Sequence, residues 1–224
     1  LNTFLSQDGE RTRIHLTIEP EGSIAILELA QRIKKVARKS LPKGTEVTIT
    51  GRNYLSAITH LNTMRNELTC FLLSVMAILL VLMVTFRSIV VGLLSAVPNL
   101  LPLTMTFGTM GFLGVPFNVT TGMILCVTIG LVVDDTIHYL FRYRSHRLAG
   151  DHIRLAIKKA SARVGRPIVS TSIILATGIS VLTLSNFRMI VQFGTFTALT
   201  IIYALFADLV LLPALLGLFP NVLA

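Results

Sequence analysis

The chain has 224 residues, of which 53% are hydrophobic and 14% are charged, with a net charge of +9 and a mean hydropathy of +0.74. Soluble domains usually have about a quarter of their residues charged, so this composition excludes an ordinary soluble domain and indicates a polytopic membrane protein. Beyond residue 66 the basic residues cluster between apolar runs, without the aromatic partners on a soluble face that nucleic-acid binding requires. We therefore expect no nucleic-acid partner.

Residues 1–66 are the part of the chain with soluble character. The segments 13–19 and 45–50 alternate between polar and apolar side chains, which predicts two half-buried strands. Between them, residues 23–40 repeat apolar side chains at helical spacing. The sequence therefore predicts a β-α-β unit that is part of an extracytoplasmic domain. Because the chain starts with a strand-like segment and without methionine, we expect it to be a fragment of a longer protein.

Residues 67–224 form the predicted transmembrane domain. A spanning helix needs about 20 apolar residues, so the uncharged stretch 88–133 is too long for one crossing. The segment 111–116 is rich in glycine and proline and predicts a turn inside that stretch. The resulting spans lie near 68–86, 89–111, 117–141, 167–187 and 190–218. The predicted fold class is a mainly α membrane protein with a five-helix bundle.

The basic residues between the spans predict the orientation of the chain. The loop 142–166 is rich in lysine and arginine, which places it on the cytoplasmic side of the membrane, with residues 1–66 on the extracytoplasmic side. Apolar residues at helical spacing in this loop predict a cytoplasmic amphipathic helix near 147–164 that lies on the membrane surface. A solvated connector is the alternative. The apolar stripe consists of Ile153, Ala156, Ile157, Ala160 and Val164.

Two adjacent carboxylates, Asp134 and Asp135, lie in the third span directly after the uncharged stretch. A carboxylate in hydrocarbon costs several kcal/mol, so such a residue is functional by default. Like charges this close oppose each other's ionisation, and we expect the pair to titrate as a coupled unit that holds about one proton near neutral pH. The pair is our candidate proton relay. The alternative is a buried polar pair that hydrogen-bonds neighbouring hydroxyls.

Three further residues are candidates for the same relay. His138 lies one helical turn after Asp134, and it either relays protons or is a hydrated imidazole near the interface. Thr171 in the fourth span is the hydroxyl that we expect to contact the Asp pair, although hydroxyls in such helices also serve packing. Asp208 in the fifth span either joins the proton path or pairs with a basic residue at the membrane face.

The other polar and reactive residues predict no separate site. Cys70 and Cys126 fall in apolar runs and have neither disulfide nor metal spacing. Tyr139 and Tyr143 are predicted to be residues of an interfacial aromatic belt. Because the sequence contains no phosphate loop, metal cluster or Ser/His/Asp constellation, we expect no metal and no cofactor other than a proton gradient.

Several motifs resemble the resistance–nodulation–division (RND) permeases. Gly130-x-x-x-Asp134-Asp135, followed by a basic cytoplasmic segment, resembles the fourth helix of one half of such a permease. The Pro-Asn-Leu-Leu-Pro run at 98–102 is similar to the second-to-third helix region. Asp208 and the Leu-Pro-Ala-Leu-Leu run at 212–216 resemble the end of the sixth helix.

The continuation at 136–144 (Thr-Ile-His-Tyr-Leu-Phe-Arg-Tyr-Arg) is similar to one branch of that superfamily. This branch contains the MMPL-type lipid exporters, the hopanoid transporters and the Patched-like proteins. Many exporters of the branch have Asp-Tyr where this chain has Asp134 and Asp135, which leaves the proton stoichiometry open.

The resemblance implies a function and a set of partners. It implies that the Asp pair relays protons to power export of hydrophobic or lipid-like molecules, so the protein is a secondary transporter and no enzyme. It implies that residues 1–66 are part of a periplasmic porter domain, that the membrane is a bacterial inner membrane, and that the five spans belong to a six-helix half. The implied partners are the remaining half of the same permease, a lipid-like substrate and the bilayer. Which half this is, and whether the permease forms a homo-oligomer, stays open.

Three alternative functions are compatible with the same composition. The first is a SecD/SecF-like accessory of protein export. The second is a lipid- or sterol-binding helix bundle that does not pump. The third is an intramembrane aspartyl protease that uses Asp134 and Asp208, but the Gly-x-Gly-Asp signature of that class is absent from the sequence.

Overall fold

The computed structural model describes residues 10–18, 22–42 and 44–219, which are mainly helical. Five helical stretches are long and apolar enough to cross a membrane, in agreement with the predicted five-helix bundle. The helices are α1 (Ser23–Ser40), α2 (Arg52–Phe86), α3 (Ile89–Phe112), α4 (Val119–Leu148), α5 (Ile153–Ser180), α6 (Arg188–Phe206) and α7 (Leu212–Leu218). A 3-10 turn, Val181–Leu184, extends α5, and a π-helical segment, Ala207–Leu211, joins α6 to α7.

The chain divides into two compact units, Leu1–Asn62 and Thr63–Ala224, with the boundary inside α2. In the first unit, the predicted helix is present as α1. The predicted β-α-β unit is not supported, because the described parts of its two strand segments, 13–18 and 45–50, contain no strand. Thr12 makes a single β-bridge, and Glu19 lies outside the described residues.

The strand prediction fails because alternation alone does not supply a pairing partner or an apolar surface. A strand is stable only when its backbone N–H and C=O groups bond to a neighbouring strand and one face packs on a core. Among the side chains that alternation would bury, Ile14 and Leu16 are 81% and 58% exposed, and Ile18, Val47 and Ile49 are only partly buried. The periodic signal is present in the sequence, but the described residues of these two segments form no strand.

In the second unit, α4 and α6 are the central helices. Helix α6 packs against α3, α4 and α5, and α4 also packs against α3 and α5. Most of the side chains of α2 in its apolar part are exposed, so this helix lies at the edge of the bundle. The main core cluster joins five of the helices. It consists of Leu82, Phe86, Val91, Tyr139, Leu140, Tyr143, Ala156, Ala160, Leu212 and Leu216.

Short local signals begin and end the spanning helices. Helix α3 starts after a tight turn at Arg87, whose φ of 51° is unusual for a residue with a side chain. Helix α4 starts at a capping box, in which Asn118 Oδ1 accepts from the Thr121 N–H at 3.1 Å and Thr121 Oγ1 accepts from the Asn118 N–H at 2.8 Å. This capping box satisfies backbone N–H groups that would otherwise be unpaired at the start of α4.

The segment predicted as a separate surface helix is divided between two long helices. Helix α4 continues to Leu148, and α5 runs without interruption from Ile153 through Pro167 to Ser180. Within the predicted apolar stripe, Ala156 and Ala160 are fully buried in the core cluster rather than against lipid. The same amphipathic pattern suits either surface, and here the facing helices α4 and α7 cover it.

Tyr139 and Tyr143 are fully buried in the core cluster, whereas belt residues would be exposed at the membrane interface. The Tyr139 hydroxyl lies 2.7 Å from Ser161 Oγ on α5, which satisfies the polar end of its side chain. These tyrosines therefore join α4 to α5 at the end of the bundle that carries the basic segment 142–166.

The loop between α4 and α5 is held by one acidic residue, Asp151. Its carboxylate accepts two hydrogen bonds from Lys159 Nζ, both at 2.8 Å, and lies 3.2 Å from His146 Nδ1. These contacts hold the pKa of Asp151 below its ordinary value of 3.8, chiefly through the hydrogen bond from Lys159. Gly150 precedes it with a φ of 87°, a conformation that favours glycine.

Candidate functional site

Asp134 lies at the middle of α4, 15 residues after Val119 and 14 before Leu148 (134 − 119 and 148 − 134). At 1.5 Å per residue, it is roughly 21–22 Å from each end of the helix. Its side chain is 73% exposed and belongs to a continuous exposed stripe on α4. The exposed stripe consists of Met123, Val127, Gly130, Asp134, His138, Phe141 and Ser145.

His138 lies on the exposed stripe one turn after Asp134, as the spacing predicts. Its Nε2 is 3.6 Å from Asp134 Oδ1, and its side chain is 67% exposed. At this distance the two groups form an ion pair only when the imidazole is protonated. The pair therefore places one acid and one base on a surface of α4 that the described residues leave uncovered.

Asp135 points to the other side of α4 and is half-buried. Its carboxylate interacts with Ser172, a buried hydroxyl on α5. Thr171, the hydroxyl expected to contact the pair, is exposed and donates to carbonyls of its own helix, those of Pro167 and Ile168, at 3.0 Å. One residue along a helix rotates the side chain by about 100°, and this rotation separates the two hydroxyls.

Asp208 is fully buried in the π-helical segment. Its Oδ1 accepts a hydrogen bond from Thr136 Oγ1 at 2.7 Å, and the same hydroxyl lies 3.1 Å from Asn99 Oδ1 on α3. Asn99 in turn donates from Nδ2 to the Ser95 carbonyl at 2.6 Å. We call these three side chains, Asp208, Thr136 and Asn99, the buried triad. It joins α3, α4 and the π-helical segment.

The buried triad holds a carboxylate that has no basic partner. In the described part of the chain, no lysine or arginine lies within salt-bridge distance of Asp135 or Asp208. The second oxygen of Asp208, Oδ2, is buried and accepts no hydrogen bond. Asp135 is close enough to Asp208 for their charges to repel each other. A charged Asp208 would therefore be costly in this environment.

Sequence reasoning identified Asp208 but not its two partners. Asn99 is the only amide side chain of α3, and it lies between Pro98 and Pro102 in a span that has no charged residue. Thr136 directly follows the Asp pair. Both were visible as polar residues in apolar surroundings, which is the signal that could have found them. Their contact with Asp208 depends on the packing of helices distant in sequence.

Glu67, on α2, is a carboxylate that the sequence did not identify as a candidate. A Cβ at Gly122 of α4 would lie 2.0 Å from Glu67 Oε2, so the glycine makes room for the glutamate. Oε2 is buried and has no hydrogen-bond partner. Cys126 Sγ, one turn further along α4, lies 3.7 Å from the Glu67 carbonyl. Glu67 therefore lies at the α2–α4 contact, near the start of α4.

The residues that the structure describes contain no cluster of three or more His, Cys, Asp or Glu that could hold a metal ion. Cys70 and Cys126 are free thiols. The polar side chains that meet inside the bundle are carboxyl, hydroxyl and amide groups, which can bind and pass a proton.

Comparison with known proteins places these features in a family. The chain is 29% identical over 185 residues to a Methanocaldococcus jannaschii protein named as membrane protein MJ1562, in an alignment that covers 82% of this chain and 47% of the relative. It is 26% identical over 221 residues to a Streptomyces coelicolor protein named as membrane protein ActII-3, covering 96% of this chain and 31% of the relative. The chain thus spans about half the length, or less, of these curated relatives.

The sequence profile of the MMPL family matches residues 1–222, which is nearly the whole chain. The resemblance that the motifs indicated is therefore confirmed, and the protein belongs to the MMPL family.

Proposed function

We propose that this chain is part of a proton-driven exporter of hydrophobic, lipid-like molecules, in which Asp134, Asp135 and Asp208 carry the proton. The observation that supports this most directly is the absence of a basic partner at Asp135 and Asp208 in the described structure. Unpaired carboxyl groups inside a membrane-spanning bundle are stable when neutral and costly when charged. Such groups suit a transporter that binds and releases protons during its cycle.

The three carboxyl groups differ in exposure in a way that suits a proton path. Asp134 is open, Asp135 is half-buried and Asp208 is fully buried. A proton that enters at the exposed stripe would pass from Asp134 to Asp135 and then to the buried triad. Ser172, next to Asp135, replaces Thr171 as the α5 hydroxyl that we propose for this path.

The exposed stripe supports a second part of the proposal. A carboxylate within a membrane span cannot face lipid without a cost of several kcal/mol, so we propose that another protein surface or a water-filled cavity covers Asp134. Because the curated relatives are about twice as long as this chain or longer, we propose that the remaining part of the same permease covers the exposed stripe. The lipid-like substrate class rests on the resemblance to the lipid-exporter branch.

The proposed location follows from the basic segment 142–166, which forms the end of α4 and the start of α5. Its lysine and arginine residues favour the cytoplasmic side, which puts residues 1–66 on the periplasmic side of a bacterial inner membrane. The bilayer and the substrate are the expected partners.

The test uses the complete protein in proteoliposomes with an imposed proton gradient, an entrapped pH dye and a fluorescent phospholipid analogue as the probe. We expect Asp134→Asn and Asp135→Asn to abolish both probe-dependent proton flux and gradient-dependent probe export. The variants should keep the wild-type elution volume and thermal unfolding. Asp151→Asn, outside the spans, is the control and should retain flux.

Three results would contradict the proposal. The first is unchanged proton flux in both α4 variants. The second is probe binding that is indifferent to the gradient, as in a bundle that binds lipid without pumping. The third is loss of pre-protein secretion, with lipid export intact, when the gene is deleted.

A further inference from the structure

The hydroxyl of Thr136 has two acceptors but only one proton. It lies 2.7 Å from Asp208 Oδ1 and 3.1 Å from Asn99 Oδ1, and both atoms accept hydrogen bonds. A hydroxyl donates one strong hydrogen bond and accepts up to two. Its direction must therefore depend on whether Asp208 needs a donor or can act as one.

Two hydrogen-bond arrangements follow from the chemistry of a carboxyl group. When Asp208 is ionised, it only accepts, so the Thr136 hydroxyl donates to it and Asn99 Oδ1 has no donor from Thr136. When Asp208 is protonated on Oδ1, its O–H donates to Thr136 Oγ1, and the Thr136 hydroxyl is free to donate to Asn99 Oδ1. In the second arrangement Asp208 donates to Thr136 and Thr136 donates to Asn99, so each of the two hydroxyl protons has an acceptor.

We propose that Asp208, Thr136 and Asn99 form a proton-linked hydrogen-bond switch, in which Thr136 and Asn99 are positioning residues that pass the protonation state of Asp208 to α3. This deepens the proposed function, on which it rests, by adding two residues that nothing else assigns. Protonation of Asp208 closes the Thr136–Asn99 bond between α4 and α3, and loss of the proton opens it.

The surroundings of the triad contain one other carboxyl group, Asp135. Between Ile89 and Phe112, α3 has no ionisable side chain, and the stretch from Arg188 to Leu218 has only Arg188, Tyr203 and Asp208. On α4, Asp135 is the charged group that interacts with Asp208. Within the triad itself, Asp208 is the ionisable side chain, so its proton decides the direction of the Thr136 hydroxyl.

The geometry also places the switch where the backbone is able to respond. Asp208 lies in the π-helical segment, and π-helical turns occur frequently at functional sites. Asn99 lies between two prolines, and each removes one backbone hydrogen bond from α3. The polar bond between α3 and α4 thus forms where α3 has fewer backbone bonds of its own.

The experiment is infrared spectroscopy of the full-length protein in lipid bilayers over a pH series, following the C=O stretch of a protonated carboxyl group. We expect a band that Asp208→Asn removes. Thr136→Val removes the hydrogen bond to the charged form, so the band should move to a higher frequency and persist to higher pH. Asn99→Leu removes the acceptor that the neutral form needs, so the band should disappear at lower pH.

Matched variants separate this switch from a general packing effect. Thr136→Ser keeps the hydroxyl and should restore the wild-type band. Thr128→Val makes the same change as Thr136→Val on the same helix, at a residue that is also fully buried but bonds only to its own helix, so the band should not move. Opposite shifts in Thr136→Val and Asn99→Leu are not expected from mere loosening.

Several outcomes would overturn the switch. One is a wild-type spectrum without a band that depends on Asp208 at any pH. Another is a band that Thr136→Val and Thr128→Val change equally. A third is a band that responds to Na⁺ at constant pH, because the three oxygens would then bind a cation rather than a proton. The readout needs no gradient, so it remains valid if the Asp134 and Asp135 variants show that transport is not proton-driven.

Discussion

At the scale of single residues, Gly122 shows how one missing side chain arranges the contact between α2 and α4. The space that a Cβ would fill is occupied by the carboxylate of Glu67, whose Oε2 is buried. The sequence shows only a glycine and a glutamate that lie far apart along the chain, so neither the contact nor its direction could be predicted. The carboxylate is at the end of a flexible side chain, which allows it to move when the glycine is replaced.

We predict that Gly122→Ala destabilises the protein by about 1 kcal/mol, because the new Cβ overlaps the Glu67 carboxylate and forces it out of its site. In a Glu67→Ala background the same substitution should cost nothing, since the overlap is gone. Thermal or denaturant unfolding in detergent micelles measures both values and gives their interaction energy.

The matched control is Gly108→Ala on α3, where a Cβ meets nothing within 4 Å. It should leave stability unchanged or raise it, because alanine has less freedom to lose in a helix than glycine. Equal effects of Gly122→Ala with and without Glu67 would show that the overlap is not the cause.

At the scale of helices, the sequence predicted the number of spans but not which side chains of neighbouring helices meet. Long apolar stretches bounded by breakers gave five crossings, because hydropathy and length are properties of each segment by itself. The α5 hydroxyl that interacts with Asp135 is Ser172 and not the predicted Thr171. The choice between these adjacent residues depends on how α5 is rotated about its axis, which the sequence alone does not specify. The strand prediction in the first unit failed for the same reason: alternation does not specify a partner.

The loop between α4 and α5 gives a prediction about pH. The folded-state pKa of Asp151 is below the ordinary value of 3.8, so its contacts stabilise the folded protein above that pH and lose their effect as the pH falls through the lowered pKa. We expect the unfolding free energy of the wild type to exceed that of Asp151→Asn above about pH 4, and the difference to shrink as the pH falls further.

The measurement is denaturant unfolding of both proteins over a pH series. Lys159→Met should weaken the same pH dependence, because Lys159 supplies the largest contribution to the lowered pKa and His146 a smaller one. A difference between wild type and Asp151→Asn that persists unchanged at pH well below 3.8 would contradict the assignment.

At the scale of the whole molecule, the exposed stripe on α4 either faces lipid or is covered by another part of the permease. We predict that a spin label at Val127→Cys, in a protein with Cys70 and Cys126 replaced by alanine, is shielded from lipid-dissolved oxygen in the complete protein. The control is Leu73→Cys on the peripheral helix α2, which is 59% exposed and should collide freely with oxygen.

Equal oxygen accessibility at both positions would show that no other part of the permease covers the exposed stripe. The comparison is direct because Val127 is itself 42% exposed in this structure, so any additional shielding must come from outside the described residues.

The orientation of the whole protein gives a further prediction. Leu113 and Ala149 are exposed residues at opposite ends of the bundle, in the turn after α3 and the turn after α4. In spheroplasts, a membrane-impermeant maleimide should label Leu113→Cys directly and Ala149→Cys only after lysis, because the basic residues on both sides of the α4–α5 loop favour the cytoplasm. The reverse pattern would place residues 1–66 in the cytoplasm.

The π-helical segment also fixes the phase of the end of the chain. One extra residue in its turn rotates everything that follows by roughly 100° relative to a regular helix, and Leu212 and Leu216 point into the core only with that extra residue in place. A regular α-helix through all of these residues would therefore turn both leucines away from the core, whereas deleting one residue of the segment, such as Val210, would remove the π turn and keep both leucines in place. The one extra residue thus sets which residues of α6 and of α7 face the core together.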